Sequence, residues 1–321
     1  MTETSAKILC DSVSPAGHRL TTFEAMYPRI VLAEVNTHRL LSRNSASSRA
    51  IPVEKMVKRV LEDPYVPTHW GKNQKGMAAE QDVDEGTAAV ARRHWLMGSG
   101  MMRSVVEELL KLGIHKQITN RLLEPFQWHP TIITATEWSN FFNLRDHKAA
   151  HPDFRDLAHA MRELYGKSSP VKLDYGQWHL PLIDEETREA FSDADQAALP
   201  LCDLPKVSVG RCARVSTLTH EGKRDLQADI DLCDKMMAAG HASPYEHVAR
   251  PMTADELELF KQKKMRWDPK SQNWHWVGAH YEERNHHWWD GEYTHFLGNI
   301  QGWAQYRKLI PYEEDILGEH P

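Results

Sequence analysis

NTHRLLSRNSASSR, running from Asn36 to Arg49, is the stretch on which the reading of this chain turns. It gathers His38, Arg39, Ser42, Asn44, Ser47, Ser48 and Arg49 into a length of about four helical turns, with no acidic residue among them. Guanidinium forks match phosphate oxygens two at a time, and neighbouring hydroxyls and freed backbone donors complete the grip. Such a run stands out in a chain with 45 Asp and Glu against 39 Lys and Arg. We read it as an anion site.

The remainder of the composition bounds the anion. At 321 residues, 41% hydrophobic and 26% charged, the chain has the make-up of a soluble globular protein with a full core. A net charge of -6 argues against a nucleic-acid polymer and leaves small phosphorylated ligands. No apolar stretch approaches the roughly 20 residues of a membrane span, and no charged-then-apolar leader is present. A cytoplasmic protein with no membrane partner is expected. Cys10, Cys202, Cys212 and Cys233 form no CxxC pair, which fits reduced thiols.

Outward from the run, AKILCDSV from Ala6 reads as a strand, and the apolar RIVLAEV (Arg29 to Val35) leads directly into the basic cluster. A helix is expected after Pro52, with Val53, Met56, Val57, Val60 and Leu61 at helical spacing. The longest helical pattern covers Thr87 to Leu112, with a possible kink at Gly98 to Gly100 and a stop at Gly113. Further helices are expected over Lys116 to Leu123, Glu137 to Arg145 and Asp153 to Tyr165. Gly166 to Pro205 reads as irregular, and Lys223 to Ala239 as an amphipathic helix closed by Gly240. The final 70 or so residues alternate polar and aromatic stretches, with Trp274-His275-Trp276 suggesting a strand.

Two more constellations carry chemistry. NRLLEPFQWHPTIITATEWSNFFNLR (Asn120 to Arg145) offers Arg121, Asn140 and Arg145, the last two about 140° apart on an ideal helix. GRCARVSTLTHEGKRDLQADIDLCDKMMAAGHASPYEHV (Gly210 to Val248) places Arg211, Arg214 and Ser216 before a helix, and His241, Ser243, Glu246 and His247 after it.

Together the three resemble the flavin-dependent thymidylate synthases. The family signature RHRxxSxNxxSxR is matched from His38 to Arg49. RxxLP and NFLxLR are matched at Arg121, Pro125 and Asn140 to Arg145. ARVS followed by a helix and HxSPFEH is matched at Ala213 to Ser216 and His241 to His247. In the family the ARVS segment comes first, whereas here it comes last, so the chain resembles a circular permutant. Residues 250–321 and the first 28 are then expected to be mostly additions to the connection.

The resemblance implies one α+β domain over residues 1–321, a mainly antiparallel twisted sheet flanked by long helices, with a Trp/His-rich extension from about 250. It implies FAD as cofactor, NADPH and methylene-tetrahydrofolate as co-substrates, and conversion of dUMP to dTMP by a homotetramer. Ser47, Ser48 and Arg49 would grip dUMP, with Arg121 and Arg145 from a neighbouring subunit; Ser47 and Arg145 would serve the chemistry. His38, Arg39, Asn44, Asn140, Ser216, His241, Ser243 and Glu246 would contact the flavin or shape its pocket.

The chain departs from the family at Thr37 for the first Arg of RHR, Ser45 for an acid, Glu34 for a Gln, and Thr134-Ala135-Thr136 for Asn-Ala-Arg. Arg43, or Arg307 in GWAQYR, is the candidate replacement for the lost Arg. A dUMP or dCMP methylase or hydroxymethylase, and a non-catalytic nucleotide-binding homologue, are the alternatives. Plain readings compete residue by residue: Arg39 and Arg49 as surface ion-pair partners, Arg121 and Arg145 as helix-end caps, and His241 and His247 as parts of a capped turn. The histidines at 275, 280, 286, 287 and 295 match no closed ligand set, so no metal is expected. Cys202 has no His or Arg neighbour to activate it. Trp274 and Trp288 are candidates for a stacking lid.

Overall fold

Polar and apolar residues alternate in the first strand, β1 (Ser5–Val13), which turns back through Gly17 into β2 (Arg19–Pro28). The turn is closed by the Ser14 N–H on the His18 carbonyl at 2.9 Å, and Gly17 takes the φ of 85° that a side chain would oppose. The computed structural model describes residues 2–192, 203–217, 225–257, 264–268, 273–277 and 299–309. β2 is covered on both faces: Leu20, Phe23, Ala25 and Tyr27 are buried, and so are Thr21 and Thr22. The apolar run that follows is not extended. Beyond Pro28 it makes a 3-10 turn (Arg29–Val31) and the single-turn α1 (Leu32–Val35).

The Asn36 to Arg49 run is not helical either. It crosses a turn and forms the short strand β3 (Ser42–Ser45). After α2 (Val53–Glu62), α3 (Glu85–Lys111) and α4 (Lys116–Thr119), the chain returns as β4 (Trp128–Ala135). The helix expected to end before Pro125 continues instead as a 3-10 helix, Asn120–Phe126, with Pro125 inside it. α3 runs unbroken through Gly98 to Gly100, capped by Asp84, whose carboxylate accepts the Thr87 N–H at 3.0 Å.

The sheet has the order β3-β4-β2-β1-β5, where β5 is Val171–Lys172; every pairing is antiparallel except β1 with β5. α5 (Ser139–Arg145) and α6 (Pro152–Lys167) cover one face. Phe154, Leu157, Ala158 and Met161 recur at helical spacing and pack with Phe23, Tyr27, Ile133, Trp138 and Phe141 in one buried cluster. This α+β architecture is the one the sequence implied.

The span from Gly166 to Pro205 is less irregular than its Pro and Asp content suggests. It holds β5, α7 (Glu185–Ser192) and the start of α8 (Leu204–Thr217). ARVS is therefore inside a helix, and α9 (Leu226–Ala238) packs against it. Gly210 makes that approach possible: a Cβ there would lie 2.1 Å from the Asp229 carbonyl oxygen. Gly240, at φ 71°, stops α9, and the 3-10 turn Ser243–His247 follows. The remaining strands are β6 (Ala249–Pro251), β7 (Lys264–Asp268), β8 (Asn273–Val277) and β9 (Trp303–Gln305), pairing β6 with β9 and β7 with β8. Trp274 and His275 lie in β8, as the alternation suggested. Cys202, Trp288 and the histidines at 280, 286, 287 and 295 lie outside the described residues, as does the side chain of Ser216.

Candidate functional site

Edge strand β3 is where the three sequence constellations meet. Its alternation turns Ser42 and Asn44 inward, both buried. Asn44 Nδ2 donates to the Cys212 carbonyl of α8 at 2.7 Å, and the Ser243 hydroxyl donates to Asn44 Oδ1 at 3.2 Å. One amide thus ties the basic run to both halves of the Gly210 to Val248 segment. Arg211 and Arg214 are turned into the α8–α9 interface: both bond the fully buried Asp229 carboxylate, at 3.1 and 2.7 Å.

Ser42 serves a second junction. Its hydroxyl bonds Asn299 at 3.1 Å, and the Gln305 amide donates to Ser42 at 3.1 Å and to the Glu246 carbonyl at 3.0 Å. Asn299 Nδ2 also donates to the Leu40 carbonyl at 2.9 Å. Residues 299–309 are thereby laid along the basic run. They close a cleft of about 440 Å³ lined by Arg39, Leu41, Arg43, Glu246, Asn299, Gln305, Arg307 and Lys308. Four cationic side chains face one carboxylate, and Arg307 is paired with that Glu246. A diphosphate-bearing group suits this donor set. Asn299, Gln305 and Lys308 were missed by the sequence reading, which had singled out only Arg307 in this segment.

Arg145 reaches back to the same run. Its Nε donates to His38 Nε2 at 2.8 Å, its Nη1 to Glu34 at 3.3 Å and its Nη2 to the Thr37 hydroxyl at 3.2 Å, with the guanidinium 4.8 Å from the Phe154 ring centre. Burial, then the Arg145 and Arg43 charges, hold the His38 pKa down to about 4, so its ring is the neutral acceptor. Asn140 and His241 are exposed.

The other nucleotide candidates lie apart from Arg145. Ser48 is buried and donates to Glu124 at 2.7 Å, and Asn120 Nδ2 donates to the Ser48 carbonyl at 2.7 Å. Exposed Arg121 also bonds Glu124, at 3.1 Å. The Ser47 carbonyl accepts from Ala50 and Ile51, and Arg49 is exposed with no bonded partner among the described residues. Within one chain, then, Arg121 joins Ser48 through Glu124, whereas Arg145 joins His38.

Beneath β3 runs a buried polar chain in which His247 and Thr134 of the sequence motifs are joined to three residues that no motif marked. Ser12, His179, Thr22, Thr134 and His247 are linked in that order at 2.9, 2.8, 2.7 and 2.8 Å. Burial drives the His179 and His247 pKa values down to about 3. Thr134, at the flavin-side position of the resemblance, spends its hydroxyl in this chain.

The sequence profile of the thymidylate synthase complementing protein family matches residues 9–171, half of the chain, and this protein belongs to that family. Because the match begins at residue 9, the β1–β2 hairpin falls within it and is not an addition. No curated protein matches the sequence. Among solved structures, it is similar to the UMP/dUMP methylase PolB from Streptomyces cacaoi bound with 5-Br UMP, at 16% identity and TM-score 0.43, covering 52% of this chain and 90% of that one. It is also similar to thymidylate synthase X from Helicobacter pylori with FAD and dUMP, at 17% identity and TM-score 0.33, covering 46% and 67%.

Proposed function

We propose that the protein is a flavin-dependent thymidylate synthase, methylating dUMP at C5 to dTMP with methylene-tetrahydrofolate and NADPH. The observation that carries this reading is the convergence on β3: Asn44 joins Cys212 and Ser243 beside a cleft lined by Arg39, Arg43, Arg307 and Lys308. His38, Arg39, Asn44, Asn140, Ser216, His241, Ser243 and Glu246 would hold or shape the FAD site, joined by Arg43, Arg307 and Lys308. Bound FAD supplies the redox chemistry of the methyl transfer. Ser47, Ser48 and Arg49 grip the nucleotide, with Arg121 and Arg145 from a neighbouring subunit. Ser47 and Arg145 are assigned to the reacting pyrimidine.

No protein thiolate is needed. Burial raises the pKa of Cys10, Cys212 and Cys233, the last to about 11, which keeps all three protonated. The homotetramer has support in α3, where Val90, Met97, Met101 and Val105 are 41–58% exposed along one helical stripe. The permuted order of a single domain is supported by the packing of Gly210 to Val248 on β3 and β4, outside the matched residues 9–171. On this reading the segment from about 250 is an extension whose residues 299–309 brace the flavin cleft.

The test is incubation with FAD, NADPH and methylene-tetrahydrofolate plus dUMP, UMP or dCMP, followed by mass analysis. dTMP from dUMP is expected. A hydroxymethylated product, or conversion of dCMP alone, would replace this reading with the modified-nucleotide one. Binding without any product would replace it with the non-catalytic one.

A further inference from the structure

We propose that the cavity between α2, Arg29 and the start of β4 binds a small oxyanion, a carboxylate or a phosphate-type group. It measures about 170 Å³ and shares no lining residue with the basic cleft. What distinguishes it is a set of buried donors with nothing to donate to. Arg29 spends Nη1 on the Ala46 carbonyl and on His129 Nδ1, at 3.2 and 3.0 Å, and Nη2 on Glu124 at 2.9 Å; its Nε–H is unpartnered.

His129 follows by elimination. A guanidinium can only donate, so Nδ1 accepts and the ring proton sits on Nε2, which also has no partner. Burial and the Arg29 charge keep this ring neutral, with a pKa near 3. Gln127, two residues earlier on the same face, leaves Nε2 unpartnered as well. His129 and Gln127 are only 2% and 5% exposed, and all three side chains line the one cavity. Buried N–H groups are nearly always paired, and three donors around one space call for an acceptor-rich guest. The acids at its rim do not fill that role: Asp63 takes the Thr2 N–H at 2.8 Å, and Glu62 is exposed.

The cavity is bordered by Ser48, which is assigned above to the nucleotide, but the three donors that carry the inference, Arg29, Gln127 and His129, belong to neither the flavin nor the nucleotide assignment. Crystals of the full chain soaked in selenate should show an anomalous selenium peak inside the cavity, with selenate oxygens within hydrogen-bond distance of His129 Nε2 and Gln127 Nε2. A parallel formate soak shows whether the planar carboxylate is also seated, and either guest supports the proposal. In solution, selenate at constant ionic strength should raise the unfolding temperature in a saturating manner. Gln127→Leu should weaken that apparent affinity roughly tenfold. Density for water alone overturns the proposal. So does a guest seen only in the crystal, or a thermal rise identical in Gln127→Leu, which would be general salting. If the variant does not fold, the wild-type soak and titration still decide.

Discussion

Replacing Asp229 by Asn removes one charge from the most heavily buried ion cluster between α8 and α9. Asp229 is fully buried and takes Arg211 Nε at 3.1 Å and Arg214 Nε at 2.7 Å, while the two arginines are only 4% and 6% exposed. They lie three apart on one helix face, so their like charges stay close once the carboxylate is gone. An amide keeps one acceptor and turns two donors toward donors. Removing one partner of a buried pair costs about 3–5 kcal/mol, and the whole range is expected here. Asp234, also on α9, provides the control: its pair with Lys206 spans the same helices at 3.0 Å, with the two side chains 53% and 27% exposed. Asp234→Asn should cost under about 1 kcal/mol. Urea unfolding with an unchanged slope gives both numbers from the midpoints. Equal midpoints for the two variants would refute the reasoning. Loosening α8 also frees the Cys212 carbonyl that holds Asn44, so Asp229→Asn should weaken flavin binding whereas Asp234→Asn should not.

Acid should weaken the fold in a defined window. His129, His179 and His247 are held near pKa 3 and His38 near 4, below the unfolded value of about 6.5, with burial the leading cause in each. Between those limits the unfolded chain binds more protons, so this stability is full above pH 6.5 and is lost as pH falls toward 3. Each histidine contributes at most about 1.4 kcal/mol per pH unit, and a urea midpoint that stays flat from pH 7 to 5 would contradict the assignment. Thr134→Val should cost about 1–3 kcal/mol by leaving His247 Nδ1 without its partner and Thr22 with His179 alone, read as a lower urea midpoint, and a neutral result would mean the polar chain is dispensable. Arg307→Gln, at a half-buried pair with Glu246, should leave the fold intact and weaken FAD roughly tenfold in a fluorescence titration; unchanged affinity would remove the 299–309 segment from the cofactor site.

The elements that announced themselves were those with one buried face. α2, α3, α6 and α9 carry their helical periodicity openly, and β1 reads as a strand. β2 did not, because RLTTFEAMYP is covered on both sides, and its buried threonines bond the sheet and His179 where a polar exterior would have been expected. Residue types alone marked the basic run as the candidate site, but its conformation was not legible. Whether Ser42 and Asn44 point inward depends on pairing with β4, nearly 90 residues further along. Asn299, Gln305 and Lys308 were beyond sequence reasoning for the same cause: the Ser42 to Asn299 bond spans 257 positions, and no local pattern encodes it. Arg211 and Arg214 were visible only as residues before a helix; the charge that receives them is Asp229, one turn into the next helix.

The most direct test of the central claim is the visible absorption spectrum of the purified protein, before and after FAD is added and the excess removed. The account predicts a retained flavin spectrum, stoichiometric with the chain and diminished in Arg39→Gln, whose exposed guanidinium lines the cleft. A colourless protein that cannot be reconstituted would contradict it, and would leave the basic cleft as a nucleotide grip without redox chemistry.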